Sequence, residues 1–595
     1  MPHLPSSPRW FQTANRLLSA LLLPCAAASA ADRLNILFAP GLGNRRYLRV
    51  LSPLGQHAVL PRIQRARCLQ PRLSARTHVP LITRLMFPLR LITALLGALA
   101  SSIWLAASPP NIIYVLADDL GYGDLSVYNP DGKIRTPVLD QLAAQGMRLT
   151  DAHSPSSVCT PTRYGIMTGE YCWRTPLKQG VTWSYGRLFL DPERETVAGL
   201  LRQHGYSTAV VGKWHLGLDW ALREGAEHQL PNATKRVNEN GVIMDMDPIH
   251  VDYTKPVTGG PENYGFAYSF ILPASLDIPP YCFLENHRLV TPPTAFTAGN
   301  DLDKGYMEAF WREGHMAPDF VFDEVLPTFI DKSIAFIRQH DAHQTPFFLY
   351  LPLASPHTPW VPQGTALGRS EGGLYGDFVE QMDREIGRLL DALEASGMED
   401  ETLVIFTSDN GPYWVPELTA RFGHRAAGSL RGMKGDIWEG GHRVPYLARW
   451  PGTIAEGTTS AALTSLTHFI ATAADIVGLD QPNQYGPDSY SILPVLLGKV
   501  DTVPEQPGIM MHSSGAHFAW REGPWKFIEK RGSGGFSAPT RFDVRMGEEP
   551  AQLYHLGNDP GESENLYFRH PEMVSQFQGR LNALRDNSSA ITATP

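Results

Sequence analysis

Cys159-Thr160-Pro161-Thr162-Arg163, inside the stretch SPSSVCTPTRYGIMTGEY, sets a thiol four residues ahead of a guanidinium. Pro161 suits the first turn of a helix, where a missing amide hydrogen costs nothing. A helix starting here surrounds Cys159 with unpaired amide hydrogens and the positive end of the helix dipole, a setting for an anion or a reacting oxyanion. A free cysteine beside a turn proline is often only a small core residue. The spacing argues otherwise: with 5 cysteines and 49 prolines in 595 residues, an accidental Cys-x-Pro-x-Arg is expected at only ~0.03 per chain.

Other reactive groups sit at the ends of apolar runs. NIIYVLA leads into Asp118 and Asp119, and TLVIFTS into Asp409 and Asn410. Adjacent carboxylates in a closed site repel unless a cation or proton separates them, and these four residues make an oxygen-only set that favours calcium or magnesium over zinc. In GKWHLG, Lys213 and His215 are two apart and share one side of an extended segment, a plausible grip on an anion. His357 lies between prolines that stiffen its loop, and Lys434 lies on the glycine-rich GSLRGMKGDIWEGGHRVP. A lone Asp-Asp pair is usually a solvated turn and a lone histidine usually structural. It is the recurrence at strand ends that favours function.

The elements that must position these groups follow an α/β rhythm from Pro110 onward, with short β-branched or aromatic runs alternating with helical patterns. Helices are expected over TPVLDQLAAQGM, TVAGLLRQHG and DFVEQMDREIGRLLDALEASG, whose apolar residues recur at three- and four-residue steps. In open α/β sheets ligands bind outside the carboxyl ends of the strands, so four strands would deliver Asp118, Lys213, His357 and Asp409 to one crevice. From about Asp219 to Asp319 prolines, glycines and aromatics interrupt the rhythm, which reads as an irregular, substrate-shaping insertion. Beyond about Val500, HFAWREGPWKFIEK, AQLYHLG and a polar helix from Pro571 read as a small α+β domain. The expected division is a catalytic domain over 109–500 and an antiparallel-sheet subdomain with a terminal helix over 501–595.

CTPTR followed by YGIMTGEY resembles the signature of the type I sulfatases, the arylsulfatase family of the alkaline phosphatase superfamily, in its branch of arylsulfatase A and N-acetylgalactosamine-6-sulfatase. The resemblance runs from Pro110 to the C-terminal WKFIEK and QLYHLGNDPGESENL. It implies an alkaline-phosphatase-like mixed sheet flanked by helices, and hydrolysis of a sulfate monoester. It also implies that a maturation enzyme oxidises Cys159 to formylglycine, whose hydrated aldehyde attacks sulfur. One calcium ion, with magnesium the less favoured choice, would be held by Asp118, Asp119, Asp409, Asn410 and an oxygen at position 159. Arg163 would steady the aldehyde hydrate, Lys213 and Lys434 would bind sulfate, His357 would serve the leaving-group oxygen, and His215 would help expel sulfate from the second hydroxyl. His442 and Arg443 match the same motif and are expected as structural support.

Composition sets the context. The chain carries a formal −9, but residues 1–108 hold 13 arginines, no lysine and one acid, Asp32, so the remainder carries −21. An acidic body argues against nucleic acid as a partner and requires a local basic pocket for an anionic substrate. Residues 86–108, MFPLRLITALLGALASSIWLAAS, have the layout of a secretory signal peptide, with a membrane anchor as the competing reading. The run is short for spanning a bilayer, so no stable anchor and a periplasmic or secreted location are expected. Residues 1–85 read as an upstream extension. Cys172 and Cys282 could pair, although no distance supports it.

The alternatives are a formylglycine-dependent phosphonate or phosphodiester hydrolase, a non-catalytic protein that binds sulfated glycans, and a thiol hydrolase using Cys159 directly. For the substrate, SFILPASLDIPPYCFLEN is similar to sulfatases acting on galactose or N-acetylgalactosamine 6-sulfates, with aryl sulfates as simpler substrates. Asp277, Tyr281 and His287 are candidate sugar contacts, each equally credible as loop structure.

Overall fold

A computed structural model describes residues 109–226, 245–300, 310–340 and 345–591. Its centre is a ten-stranded mixed sheet. In chain order the strands are β1 (Asn111–Ala117), β2 (Met147–Leu149), β3 (Ser207–Lys213), β4 (Tyr268–Leu272), β5 (Leu284–Glu285), β6 (Arg288–Leu289), β7 (Phe347–Pro352), β8 (Thr402–Ser408), β9 (Tyr446–Arg449) and β10 (Thr458–Ser460). They lie in the order β10-β2-β9-β8-β1-β7-β3-β4-β5-β6. The run β8-β1-β7-β3-β4 is parallel throughout, with Val115 of β1 opposite Leu351 and Phe406. Every residue of β1, β7 and β8 is buried. That is why these strands read as unbroken apolar runs rather than alternating ones: helices cover both faces of a parallel sheet.

The expected helices form, as α1 (Pro137–Ala144), α3 (Val197–Gln203) and α5 (Gly373–Ala395), joined by α2 (Cys159–Thr168), α4 (Val325–Ile337) and α6 (Phe469–Ile476). Helix α5 buries Phe378, Met382, Ile386, Leu389 and Leu393, the three- and four-residue steps of one face, and packs on α4 and α1. The region from Asp219 to Asp319 is less irregular than expected. It contains β4, which extends the parallel sheet beyond β3, and the short β5 and β6. Prolines and glycines crowd both flanks of YSFIL and hide this strand from a reading of periodicity.

The C-terminal sheet is antiparallel, with β11 (Ile509–His512), β12 (Phe518–Glu522), β13 (Trp525–Ile528) and β14 (Gln552–His555) in sequence order, followed by α7 (Pro571–Ile591). Its period-two alternation serves two cores. Met510, Trp520, Phe527 and Leu553 face α7 with Phe577 and Leu581. Ile509, Met511, Ala519 and Ile528 face the larger body with Ile437 and Trp438. Cys172 and Cys282 are buried free thiols and do not pair. No described helix is long and apolar enough to cross a membrane. Residues 1–108, with the expected extension and signal peptide, lie outside the described residues.

Candidate active site

The carboxyl ends of five neighbouring parallel strands lie side by side, and four of them, those of β1, β7, β3 and β4, line one cavity. β1 delivers Asp118 and Asp119, β8 Asp409 and Asn410, β7 His357, and β3 Lys213 and His215. β4, the strand the sequence concealed, delivers Ser275 and Asp277. Asp119 and His215 adopt positive φ (65° and 58°) where the chain turns sharply off its strands. The cavity holds about 270 Å³ and is lined by Asp119, Cys159, His215, Asp277, His357 and Lys434 among others.

Helix α2 begins at Cys159 as the sequence requires, with extended Val158 ahead of it. The Cys159 Sγ lies 3.6 Å from Asp118 Oδ1 and is buried. Burial pushes the thiol up, only partly offset by Lys213 and Lys434, so it is held protonated. One turn on, Arg163 places Nε and a terminal nitrogen 3.0 and 2.8 Å from Asp409 Oδ2 and donates its other terminal nitrogen to the Lys213 carbonyl (2.9 Å).

The two lysines are matched to the two adjacent carboxylates. Lys213 Nζ is 2.6 Å from Asp118 Oδ2 and 3.2 Å from Ser275 Oγ; Lys434 Nζ is 2.7 Å from Asp119 Oδ2. Burial alone would raise the Asp118 carboxyl, yet Lys213, His357 and Arg163 together hold it well below the usual carboxylate range. Asp409 goes the other way, to about 6, through burial and the charge of Asp118. Burial would lower Lys434, but Asp119, Cys159 and Asp118 together outweigh it and raise the ammonium above its ordinary value.

The histidines have defined tautomers because a carbonyl only accepts. His215 donates Nε2–H to Thr182 O (2.8 Å), which leaves Nδ1 a lone pair that is buried without a partner. Burial, then Lys213 and Arg163, hold His215 neutral. His357 donates Nδ1–H to Thr358 O (2.7 Å) and turns Nε2 toward Asp119 Oδ2 (3.5 Å).

The carboxylate and amide oxygens of Asp118, Asp119, Asp409 and Asn410 suit a hard divalent cation. Asp118, Asp119, Cys159 and His357 bring ligand atoms within 4.8 Å of one another. Asn410 donates Nδ2–H to Asp119 Oδ1 (2.7 Å), and its own Oδ1 is buried with no hydrogen-bond partner. Asp409 stands at the edge of this group: Arg163 engages Oδ2, and Oδ1 accepts the Asp119 amide (3.2 Å).

Two of the expected sugar contacts are elsewhere. Tyr281 is fully buried and donates to the Asp277 and Arg312 carbonyls (3.0 and 2.8 Å), so its hydroxyl braces the chain. His287 lies by Val257, its carbonyl accepting that residue's amide, away from the cavity. Asp277 does line the cavity and pairs with Arg312. Ser275 and Arg312 escaped the sequence reading; applying the strand-end rule to YSFIL finds the first, and nothing local points to the second.

His442 and Arg443 fall where support was expected, in a closed second cluster. Lys526 Nζ lies 3.0 Å from Glu439, 2.9 Å from Glu562 and 3.0 Å from His442 Nε2; His442 and His153 meet at 3.1 Å through Nδ1. Arg443 reaches Glu439 and Asp151. The glycines of this loop are packing residues: a Cβ on Gly441 would stand 2.1 Å from Asp436 O, and one on Gly440 2.4 Å from Gly432 O.

Comparison with known proteins is consistent along the chain. The family model described as Sulfatase matches residues 110–479. An N-acetylgalactosamine-6-O-sulfatase of Bacteroides thetaiotaomicron is 31% identical over 510 residues, 80% of this chain and 93% of that protein. Human arylsulfatase A is 34% identical over 494 residues, 80% and 86% of the two chains. A solved 6S-sulfatase from a study of glycosaminoglycan metabolism in B. thetaiotaomicron superposes with a TM-score of 0.67 at 30% identity, covering 81% of this chain and all of the other. The phosphonate monoester hydrolase of Agrobacterium radiobacter, at 18% identity and a TM-score of 0.50 over 80% of this chain and 96% of its own, shares the fold alone.

Proposed function

The chain belongs to the sulfatase family and is a sulfuric ester hydrolase, and from that premise we propose that it cleaves a carbohydrate 6-sulfate, of galactose or N-acetylgalactosamine, using formylglycine at position 159 and one calcium ion. The observation that carries the reading is the charge arrangement at the cavity. Asp118, Asp119 and Asp409 are offset by Arg163, Lys213 and Lys434, so a bound divalent cation leaves a net +2 in a buried pocket, complementary to a sulfate monoester. The B. thetaiotaomicron relative, an N-acetylgalactosamine-6-O-sulfatase, supports the sugar.

The hydrate of a formylglycine at position 159 would supply the nucleophilic oxygen, and calcium, which Asp118, Asp119, Asp409 and Asn410 would hold, would polarise the sulfate oxygens. The remaining work belongs to the side chains. Arg163, one helical turn from residue 159, holds Asp409 in place. Lys213 and Lys434 hold the sulfuryl oxygens and meet the charge that develops on them. In its imidazolium form His357 carries a second proton on Nε2, which faces the cavity and passes that proton to the departing sugar oxygen, while Nδ1–H stays on the Thr358 carbonyl. His215, kept neutral with Nδ1 free, takes the proton whose removal releases sulfate.

The protonated, buried thiol weighs against direct thiol catalysis, and the two-lysine pocket favours sulfate over phosphonate. A formylglycine-generating enzyme is the required partner in maturation, and a periplasmic or secreted location is proposed from residues 86–108. Turnover of an aryl sulfate and of galactose and N-acetylgalactosamine 6-sulfates tests the reading, with intact mass across the Cys159 peptide. Activity in material that keeps the thiol throughout, or turnover unaffected by chelation, would refute it.

A further inference from the structure

A second and larger cavity, about 770 Å³, adjoins the sulfate pocket, and both are lined by Trp183 and Arg312. One wall is the two-stranded ribbon of Ala295–Thr297 and Gly314–Met316, closed beyond by the backbone pairing of Asn300 with Trp311 (2.7 and 3.3 Å). Aromatic rings dominate it: Trp183, Phe296, Phe310 and Trp311. Trp183 and Phe296 are 38% and 63% exposed, an arrangement of open rings in a concavity that marks a binding surface.

The two cavities are joined by chemistry as well as by position. The Arg312 guanidinium lies 5.0 Å from the Trp183 ring centre and 4.9 Å from that of Phe310, and it pairs with Asp277 Oδ2. Asp277 Oδ1 is buried on the wall of the sulfate pocket and accepts no hydrogen bond; His357 Nδ1 stands 3.9 Å away, too far to donate one. A buried acceptor of this kind calls for a donor that the protein does not supply. A sugar hydroxyl is one.

Resting on the saccharide reading above, we propose that the aromatic cleft is a second sugar subsite, which receives the pyranose unit linked to the sulfated one. The open rings of Trp183 and Phe296, with Phe310 beside them under Arg312, lie against the C–H faces of that unit, and the Asp277–Arg312 pair marks the junction between the two sugars by accepting a hydroxyl from the inner ring. The occupant is a saccharide rather than a lipid or steroid tail because Asn300, Glu313 and His315 share the lining with the rings, and an apolar ligand would strip these groups of water without replacing it. The cleft volume falls in the range of small-ligand sites, and the sulfate pocket falls just below it. The enzyme therefore selects a sulfated sugar within a chain over the free monosaccharide.

The test uses the mature, metal-loaded protein with galactose and N-acetylgalactosamine 6-sulfates, each as the free sugar and as the sulfated unit of a defined trisaccharide, together with an aryl sulfate. Affinity for the desulfated trisaccharides is measured by calorimetry. The expected result is a trisaccharide-to-monosaccharide ratio of kcat/KM well above one, falling about tenfold in the double variant Phe296→Ala/Phe310→Ala with a parallel loss of trisaccharide affinity. Equal kcat/KM for the two lengths, or a double variant that leaves the ratio and the affinity unchanged, would overturn the subsite. Turnover of the aryl sulfate with no length preference removes this proposal and leaves the sulfatase reading standing. Variant-sensitive trisaccharide binding without turnover of any sulfate ester does the reverse.

Discussion

The clusters around Cys159 and around Lys526 are built from the same materials, buried acids, bases and histidines, and they differ in how their charge is closed. At Lys526 an ammonium sits between Glu439 and Glu562 and beside His442, all fully buried. The cation the carboxylates need is part of the chain. At Cys159 the lysines and Arg163 also meet the carboxylates, but Asn410 Oδ1, Asp277 Oδ1 and His215 Nδ1 are buried without partners, and the cluster borders a cavity. Buried polar groups are normally satisfied, so acceptors left open around a cavity distinguish a site that awaits ligands from one whose charges the chain closes by itself.

Cys159→Ala should break the comparison on one side only. Activity on an aryl sulfate is expected to fall by at least about 10⁴-fold, with a melting temperature close to the parent's, because the side chain removed is small and makes only one polar contact. Lys526→Met does the opposite. It leaves Glu562 buried without a counter-charge and Glu439 with Arg443 alone, and should cost about 3–5 kcal/mol of stability by denaturant unfolding, while kcat per folded molecule stays near the parent value. The double variant Lys526→Met/Glu562→Gln should recover part of that loss.

The reason only part of this was legible in the sequence lies in what each signal depends on. Asp118, His357 and Asp409 follow strands buried on both faces, so unbroken apolar runs announced them. Cys159 and Arg163 are one turn apart on a single helix and needed no tertiary information. Lys526 reads as an ordinary solvated lysine in WKFIEK. It is buried because it shares the alternating face of Ile528, and that face is covered by the larger body rather than by water. Arg312 reaches Asp277 only because a ribbon doubles the chain back across 35 residues, a contact without a local signature. His287 looked equally available and lies in the turn between β5 and β6, beside a separate cleft.

Two smaller effects sharpen the contrast. Burial, then the charge of Glu439, outweigh Lys526 and raise Glu562 to about 7. A carboxyl raised on folding contributes stability that is full below its unfolded value and lost as pH rises through its folded value. Glu562→Gln should therefore gain on the parent protein, by a few degrees in melting temperature, as pH goes from about 5 to 8. His287→Ala, outside the cavity, should change kcat/KM on every saccharide by less than about twofold, which steady-state assays will check.

The 2% exposure of Cys159 has a consequence for timing. On the proposed reading, another enzyme must reach that sulfur, and in the finished fold it cannot. Asp409 and Lys434, which help to enclose it, are synthesised long after it. The growing polypeptide thus passes through a period in which residue 159 has been made and the groups that will seal it in have not, and the oxidation has to fall within that interval.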